Sequence, residues 1–299
     1  MPQKTLLRNV ARHKTRSCIM IIDFRLRPPV NPYLKGKMYN LERNKRLSES
    51  MGMYQSASVL NYSMDMLLEE MEEAGITLGV VPGRESNPGM GDATCEEVTA
   101  IVDSHPDRFV GIAGVDPTKP DEAIARIEKF VLNGVLKAVC LEPGALPQPL
   151  YGDDKKLYPV IEYCASKDIP VMMMLGGNAG PDVSYTSPVQ IDHVAADFPK
   201  TRFIISHGGW PWVQEVLHVA FRRTNIYISP DMYLFNMPGW QDYVTACNFF
   251  LQDRFLFGTA YPFLPLKGCV EHFMKLPFKP EVLPKLLYKN AAELLNISC

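Results

Sequence analysis

The chain has 299 residues, 46% of them hydrophobic and 21% charged, which is enough for a sizeable core and close to the usual size of one barrel domain. Its formal net charge of -2 offers no general attraction for nucleic acid or anionic lipid, and its longest apolar runs are too short to cross a bilayer. Seven cysteines, an odd number without C-x-x-C pairs or zinc-type spacing, read as small hydrophobes of a reducing, cytoplasmic compartment rather than as a disulfide framework.

Residues 1–19 carry Lys4, Arg8, Arg12, Lys14 and Arg16, with no acid before Asp23 and no clear amphipathic pattern. They read as a disordered tail or a start site placed too early, and the folded domain is expected over 20–299. The first strand, 20–27, reads Met-Ile-Ile-Asp-Phe-Arg-Leu-Arg. Period-2 alternation puts Asp23, Arg25 and Arg27 on one face and Ile22, Phe24 and Leu26 on the other, so the charged face looks inward. A guanidinium has five donors and no lone pair, so this pair of arginines cannot ligate a cation but can hold an anion. An excursion over 28–61, rich in Asn, Lys and Arg, reads as a lid or interface loop.

Beyond it, strand-like apolar runs at 76–81, 109–115, 136–141, 170–174, 202–206, 225–229 and 254–258 bring the total to eight. Helical patterns fall at 63–74, 93–104, 120–132, 155–167, 188–197, 212–221, 239–251 and 280–294, several of them closed by glycine or proline. Eight βα units predict an α/β fold, a single-domain (β/α)₈ TIM barrel. A doubly wound sheet is disfavoured because no G-x-G-x-x-G turn follows the first strand, and because polar clusters follow nearly every strand instead of one switch point.

Those clusters converge on one mouth, where such barrels place their sites. Arg84 follows the second strand and Glu142 the fourth. Asn178 follows the fifth, His207 and Trp210 the sixth, Asp231 and Tyr233 the seventh, and Tyr261 the eighth. His207 is suited to moving protons near neutral pH, and Glu142 and Asp231 are candidate acids or bases. Arg25, Arg27 and Arg84 are candidate contacts for an anionic substrate, with Asn178, Tyr233, Tyr261 and Trp210 as further substrate contacts. Competing structural readings pair Arg25 and Arg27 with Asp23 or Glu142, make Asp231 a helix or turn cap and leave His207 as a hydrogen-bonded structural residue.

The motifs Leu-Glu-Pro-Gly at 141–144, GGNAGPD at 176–182, HGGWPWVQE at 207–215, SPDMY at 229–233 and FGTAYP at 257–262 carry a resemblance over residues 20–297. The chain resembles the amidohydrolase-related branch of the amidohydrolase superfamily, the branch of aminocarboxymuconate-semialdehyde decarboxylase, and is similar there to uncharacterised TIM-barrel proteins that open with IIDFRLRPP. The family's metal site implies an H-x-H pair on the first strand, histidines ending the fifth and sixth, and an aspartate ending the eighth. This sequence has Arg25 and Arg27, Met174, His207 and Ala260 at those positions. One histidine does not make a mononuclear site, so no metal and no other cofactor is expected.

Several cationic donors beside a free histidine suggest a small carboxylate-bearing or similarly anionic substrate, and two reactions fit it, hydrolysis being favoured. One is metal-independent hydrolysis of an ester, lactone or amide, with His207 or Asp231 as base and an arginine on the oxyanion. The other is decarboxylation of an unsaturated or aromatic acid. Pyrone-dicarboxylate lactonase is a metal-free family precedent for the first, but it keeps the eighth-strand aspartate that Ala260 replaces here. A barrel that binds small anions without turning them over is the third reading. The resemblance further implies a homodimer, in which Trp210–Trp212 and 232–240 either bury a subunit contact or wall the pocket.

Overall fold

The computed structural model describes residues 20–298, so the expectations for 1–19 lie outside the described residues. Seven strands form one parallel sheet in chain order: β1 Ile22–Asp23, β2 Leu78–Pro82, β3 Phe109–Gly114, β4 Val139–Leu141, β5 Val171–Met173, β6 Phe203–Ser206 and β7 Ile226–Ser229. The eighth position is taken by the backbone of 254–261. The Ile228 amide donates to the Arg254 carbonyl at 2.9 Å and the Leu256 amide to the Ile228 carbonyl at 3.0 Å. On the other edge the Phe24 amide donates to the Phe257 carbonyl at 2.8 Å and the Arg27 amide to the Tyr261 carbonyl at 3.2 Å, which closes the ring onto β1. Ala260, at φ 61°, interrupts extended geometry within this segment.

The continuous apolar runs follow from burial on both faces. Ile22, Val80, Ile112, Cys140, Met172, Ile204 and Leu256 fill the barrel interior, while Val171, Met173, Phe203, Ile205, Ile226 and Ile228 face the surrounding helices. The helices are α1 Leu41–Ser50, α2 Ala57–Leu60, α3 Met64–Ala74, α4 Cys95–Ser104, α5 Pro120–Ile127, α6 Tyr158–Ser166, α7 Pro188–Asp197, α8 Val213–Arg222, α9 Trp240–Cys247, α10 Leu266–Phe273 and α11 Asn290–Leu294. Local chemistry sets several boundaries. Ser63 caps α3 through the Met66 amide, Gly75 ends it at φ 74°, and Thr94 and Glu97 form a capping box on α4. No helix among the described residues is long and apolar enough to cross a membrane.

Three expectations change. Strand one is regular only at Ile22–Asp23, and the alternation breaks after it. The Arg25 amide donates to Asp23 Oδ1 at 3.0 Å, an Asx turn that bends the chain, so Leu26 packs outside and parts from Ile22 and Phe24, which fill the barrel interior instead of packing on helices. Asp23 does not share a face with the arginines: its carboxylate accepts the Thr259 amide at 2.9 Å and the Thr259 hydroxyl at 2.6 Å, tying the first strand to the eighth segment. The helix expected at 280–294 begins later, at 283, and runs through a π-helical stretch at Lys285–Lys289 into α11. Helix α10 was not expected, since it contains Gly268; it forms because Leu266, Cys269 and Phe273 bury one face, beside α3.

Candidate active site

At the mouth of the barrel lies a cavity of about 400 Å³, within the range usual for small-molecule sites. Arg25 and Arg27 enter it from the end of the first strand, both almost fully buried. Arg25 Nη2 donates to Met174 Sδ at 3.2 Å and faces His207 Nε2 at 3.4 Å, while its Nε lies 3.9 Å from Asp231 Oδ2. Neither competing partner for Arg25 holds its side chain: Asp23 takes only its amide, and Glu142 pairs with Arg84. Nε and Nη1 of both Arg25 and Arg27 have no hydrogen-bond partner among the described residues. No carboxylate lies within 4.0 Å of the Arg27 guanidinium among the described residues. Burial, and then the charges of Arg25 and Arg84, push its pKa from 12.5 down to about 9.

His207 Nδ1 sits 3.1 Å from Asp231 Oδ1 and 2.9 Å from Oδ2. The guanidinium of Arg25 is donor-only, so Nε2 facing it carries a lone pair and the ring proton belongs on Nδ1, pointing at Asp231. Burial lowers the His207 pKa below 6.5; Asp231 opposes this, and the charges of Arg25 and Arg27 reinforce it. The imidazole is therefore neutral at pH 7. Both members of this pair sit at positive φ, 60° for His207 and 45° for Asp231. Such geometry costs on the order of 1–3 kcal/mol per residue and persists only where the surroundings impose it. Here the Tyr243 hydroxyl donates to the Gly208 carbonyl at 2.9 Å and the Met232 amide to Asp231 Oδ1 at 2.6 Å. Asp231 thus also accepts a local turn bond and does not line the cavity; its carboxylate lies behind two residues that do, His207 and Arg25.

Glu142 is a lining residue whose Oε2 accepts from Arg84 Nε at 2.9 Å and from Asn87 Nδ2 at 2.5 Å. Burial favours its neutral form, but the charges of Arg84 and Arg25 and the Asn87 bond outweigh this and hold its pKa below the usual range. It is a carboxylate at neutral pH, suited to holding Arg84 and Asn87 rather than to donating a proton.

Asn178 and Tyr233 line the cavity, and the Tyr233 ring meets His207 edge-on with centroids 5.3 Å apart. Trp210 does not line it. Its ring stacks on the far side of Tyr233 at 4.9 Å and its Nε1 donates to the Pro238 carbonyl at 3.2 Å, so it supports a wall instead of touching a ligand. Tyr261 is also outside: it is fully buried, and its hydroxyl lies 2.8 Å from Ser58 Oγ, because the positive φ at Ala260 redirects the chain away from the mouth. The excursion over 28–61 does cover this mouth. It supplies Met38, Arg43 and Leu47, none of which was singled out in the sequence, although Arg43 and Leu47 are spaced one helical turn apart. Asn87 was missed too, although Asn-Pro-Gly is a turn signal; its Oδ1 accepts the amides of Gly89 and Met90 at 3.1 and 2.9 Å.

Among the described residues no group of three His, Cys, Asp or Glu side chains converges to hold a metal ion. The guanidinium of Arg25 stands against the one histidine nitrogen that faces the cavity. This donor set does not fit a divalent cation.

The amidohydrolase family profile matches residues 22–297. An uncharacterised TIM-barrel protein from Bordetella bronchiseptica is 45% identical, with a TM-score of 0.89, covering 93% of this chain and 98% of that one. A 2,6-dihydroxybenzoate decarboxylase from Rhizobium is 15% identical over 93% of this chain and 98% of its own, with a TM-score of 0.69. A dihydroxybenzoic acid decarboxylase from a Polaromonas species, solved with bound manganese and the inhibitor 2-nitroresorcinol, is 15% identical with a TM-score of 0.65, covering 93% of this chain and 96% of that one. No curated protein matches the chain.

Proposed function

The chain belongs to the amidohydrolase family, and from that premise we propose that it is a metal-independent hydrolase of an ester, lactone or amide bond in a small carboxylate-bearing molecule. The observation that carries this reading is the His207 geometry: Nδ1 is held by Asp231 while the Nε2 lone pair faces the cavity beside Arg25. A neutral imidazole oriented in this way is a general base. Its Nε2 takes a proton from water as the oxygen attacks the substrate carbonyl, and Asp231 stabilises the imidazolium that forms. Arg25, with Nε and Nη1 unpartnered, receives the developing oxyanion, and Arg27, with no counter-charge, holds a substrate carboxylate. The imidazolium then returns its proton to the leaving oxygen or nitrogen. Positioned proton transfer contributes on the order of 10²–10⁴-fold and an oxyanion donor on the order of 10²–10³-fold.

Structural neighbours named as decarboxylases make loss of CO₂ the competing reaction, and two features weigh against it. Arginines bound to a carboxylate stabilise the charged ground state more than the departing CO₂, which raises the barrier instead of lowering it. Reprotonation of carbon also needs an acid, whereas His207 is neutral and Glu142 is ionised at pH 7.

The test is turnover by purified protein of a panel of carboxylate-bearing lactones, esters and amides beside unsaturated and aromatic acids. Hydrolysis products are expected, and His207→Gln should remove them. Release of CO₂ without hydrolysis would replace the proposal with decarboxylation, and binding without any product would make the protein a non-catalytic anion receptor.

A further inference from the structure

Two of the four arginines that line the cavity have a carboxylate to answer them. Arg84 pairs with Glu142, and Arg25 lies beside Asp231. Arg27 and Arg43 have no carboxylate within 4.0 Å among the described residues. Arg43 comes from α1, whose start is fixed by Asn40 Oδ1 accepting the Arg43 amide at 2.9 Å. Its Nη1 donates to Met90 Sδ at 3.4 Å, and its guanidinium lies 5.3 Å from the centre of the Phe263 ring. A thioether is a weak acceptor and an aromatic face is no acceptor for the full fork, so most of this guanidinium's donor capacity is free. Met38, Met232 and Phe263 give the same cavity an apolar part of its wall.

On the reading that this cavity is the substrate site, we infer that its ligand carries two anionic groups, an inner one held by Arg27 and an outer one held by Arg43, on a small apolar body between them. Arg43 is then the residue that separates dianions from monoanions. It stands on the excursion, so recognition of the outer group also seats that segment on the barrel. Arg27 ends the first strand and Arg43 stands on α1, so the two reach the cavity from different elements, one for each anionic group.

The experiment is calorimetric titration of the full-length protein with isophthalate, benzoate and phenyl phosphate. Isophthalate should bind at least about tenfold more tightly than either of the others, since a charged hydrogen-bonded pair is worth roughly that much or more. Arg43→Met should bring isophthalate to the benzoate level, with Arg43→Lys in between, whereas Arg27→Met should weaken both ligands. Equal affinities for isophthalate and benzoate in the wild type, no binding of isophthalate at millimolar concentration, or an unchanged ratio in Arg43→Met would overturn the inference. Preference for phenyl phosphate would do so as well. Substrate hydrolysis can fail in the turnover panel while this binding pattern holds, so the two outcomes are separable.

Discussion

Replacing Arg27 with methionine should stabilise the free protein while weakening its affinity for anions. The guanidinium pKa falls from 12.5 to about 9 on folding, with burial the largest cause. At about 1.4 kcal/mol per pKa unit, the charged form is roughly 5 kcal/mol worse off in the folded protein than in water. A separate count agrees: the unpartnered Nε and Nη1 each cost about 1–3 kcal/mol. Methionine removes the charge and both donors, and the bond from the Tyr39 hydroxyl to residue 27 survives because its acceptor is the backbone carbonyl. Imperfect repacking and water in the cavity leave an expected gain of about 1–3 kcal/mol, measured by urea unfolding without ligand at pH 7. Below pH 9 the arginine is charged in both folded and unfolded chains, so the full penalty applies. Between pH 9 and 12.5 the folded chain gives up the proton that the unfolded chain keeps. Wild-type stability therefore rises relative to Arg27→Met, and the gap narrows. A variant less stable than wild type at pH 7, or a gap that stays constant between pH 8 and 10.5, would refute the assignment of Arg27 as an uncompensated buried cation.

Because the His207 pKa lies below 6.5, kcat/KM for the substrate found should rise with pH along an acidic limb below that value and level off near neutrality. It should fall again near pH 9 as Arg27 loses its charge. Asp231 raises the His207 pKa, so Asp231→Asn should move the histidine's NMR titration to lower pH, a readout that needs no substrate; a shift to higher pH would contradict the pairing. Glu142→Gln leaves Arg84 charged and uncompensated in a buried site and should cost about 3 kcal/mol in unfolding experiments. The wild-type pair loses its contribution as pH falls below 4.5, so the variant should show a flatter acid limb. Treatment with EDTA and dialysis should leave both folding and turnover unchanged, and activity restored only by manganese or zinc would count against the arginine assignment.

The barrel was legible because burial on both faces writes itself into runs such as Val171 to Met173 and Phe203 to Ile205, and because caps at Ser63 and Thr94 are local signals. The inner site was legible for a related reason: residues that end strands reach the mouth whatever the loops do, which placed Arg25, Arg27, Arg84, Glu142 and His207 together. What failed depended on single backbone angles or on distant packing. Strict alternation wrongly grouped Asp23 with the arginines and Leu26 with Ile22 and Phe24, because a side-chain bond to an amide two residues on breaks the strand period. Tyr261 was drawn into the site by its position after the eighth strand, and the φ of 61° at Ala260 sends it to Ser58 instead. Arg43 belongs to a segment whose docking depends on contacts far along the chain, with Met90 and Phe263, and no local pattern encodes these.

The two arginines on the first strand also make physical sense of the departure from the family's metal ligands. A divalent cation between neutral histidines brings two positive charges to the mouth, and Arg25 with Arg27 brings the same number. The power to hold an oxyanion or carboxylate is therefore conserved. What is lost is the lone-pair coordination that lowers the pKa of bound water, since a guanidinium ligates nothing. That task has to pass to a side chain able to accept a proton at neutral pH. His207 has the accepting Nε2 at the cavity beside Arg25, the depressed pKa and the carboxylate behind it. On the hydrolase proposed above, the exchange of metal ligands for arginines makes the sixth-strand histidine a base instead of a ligand. The strained backbone at His207 and Asp231, unfavourable for folding, is the geometry that keeps Nδ1 on the carboxylate and Nε2 on the cavity.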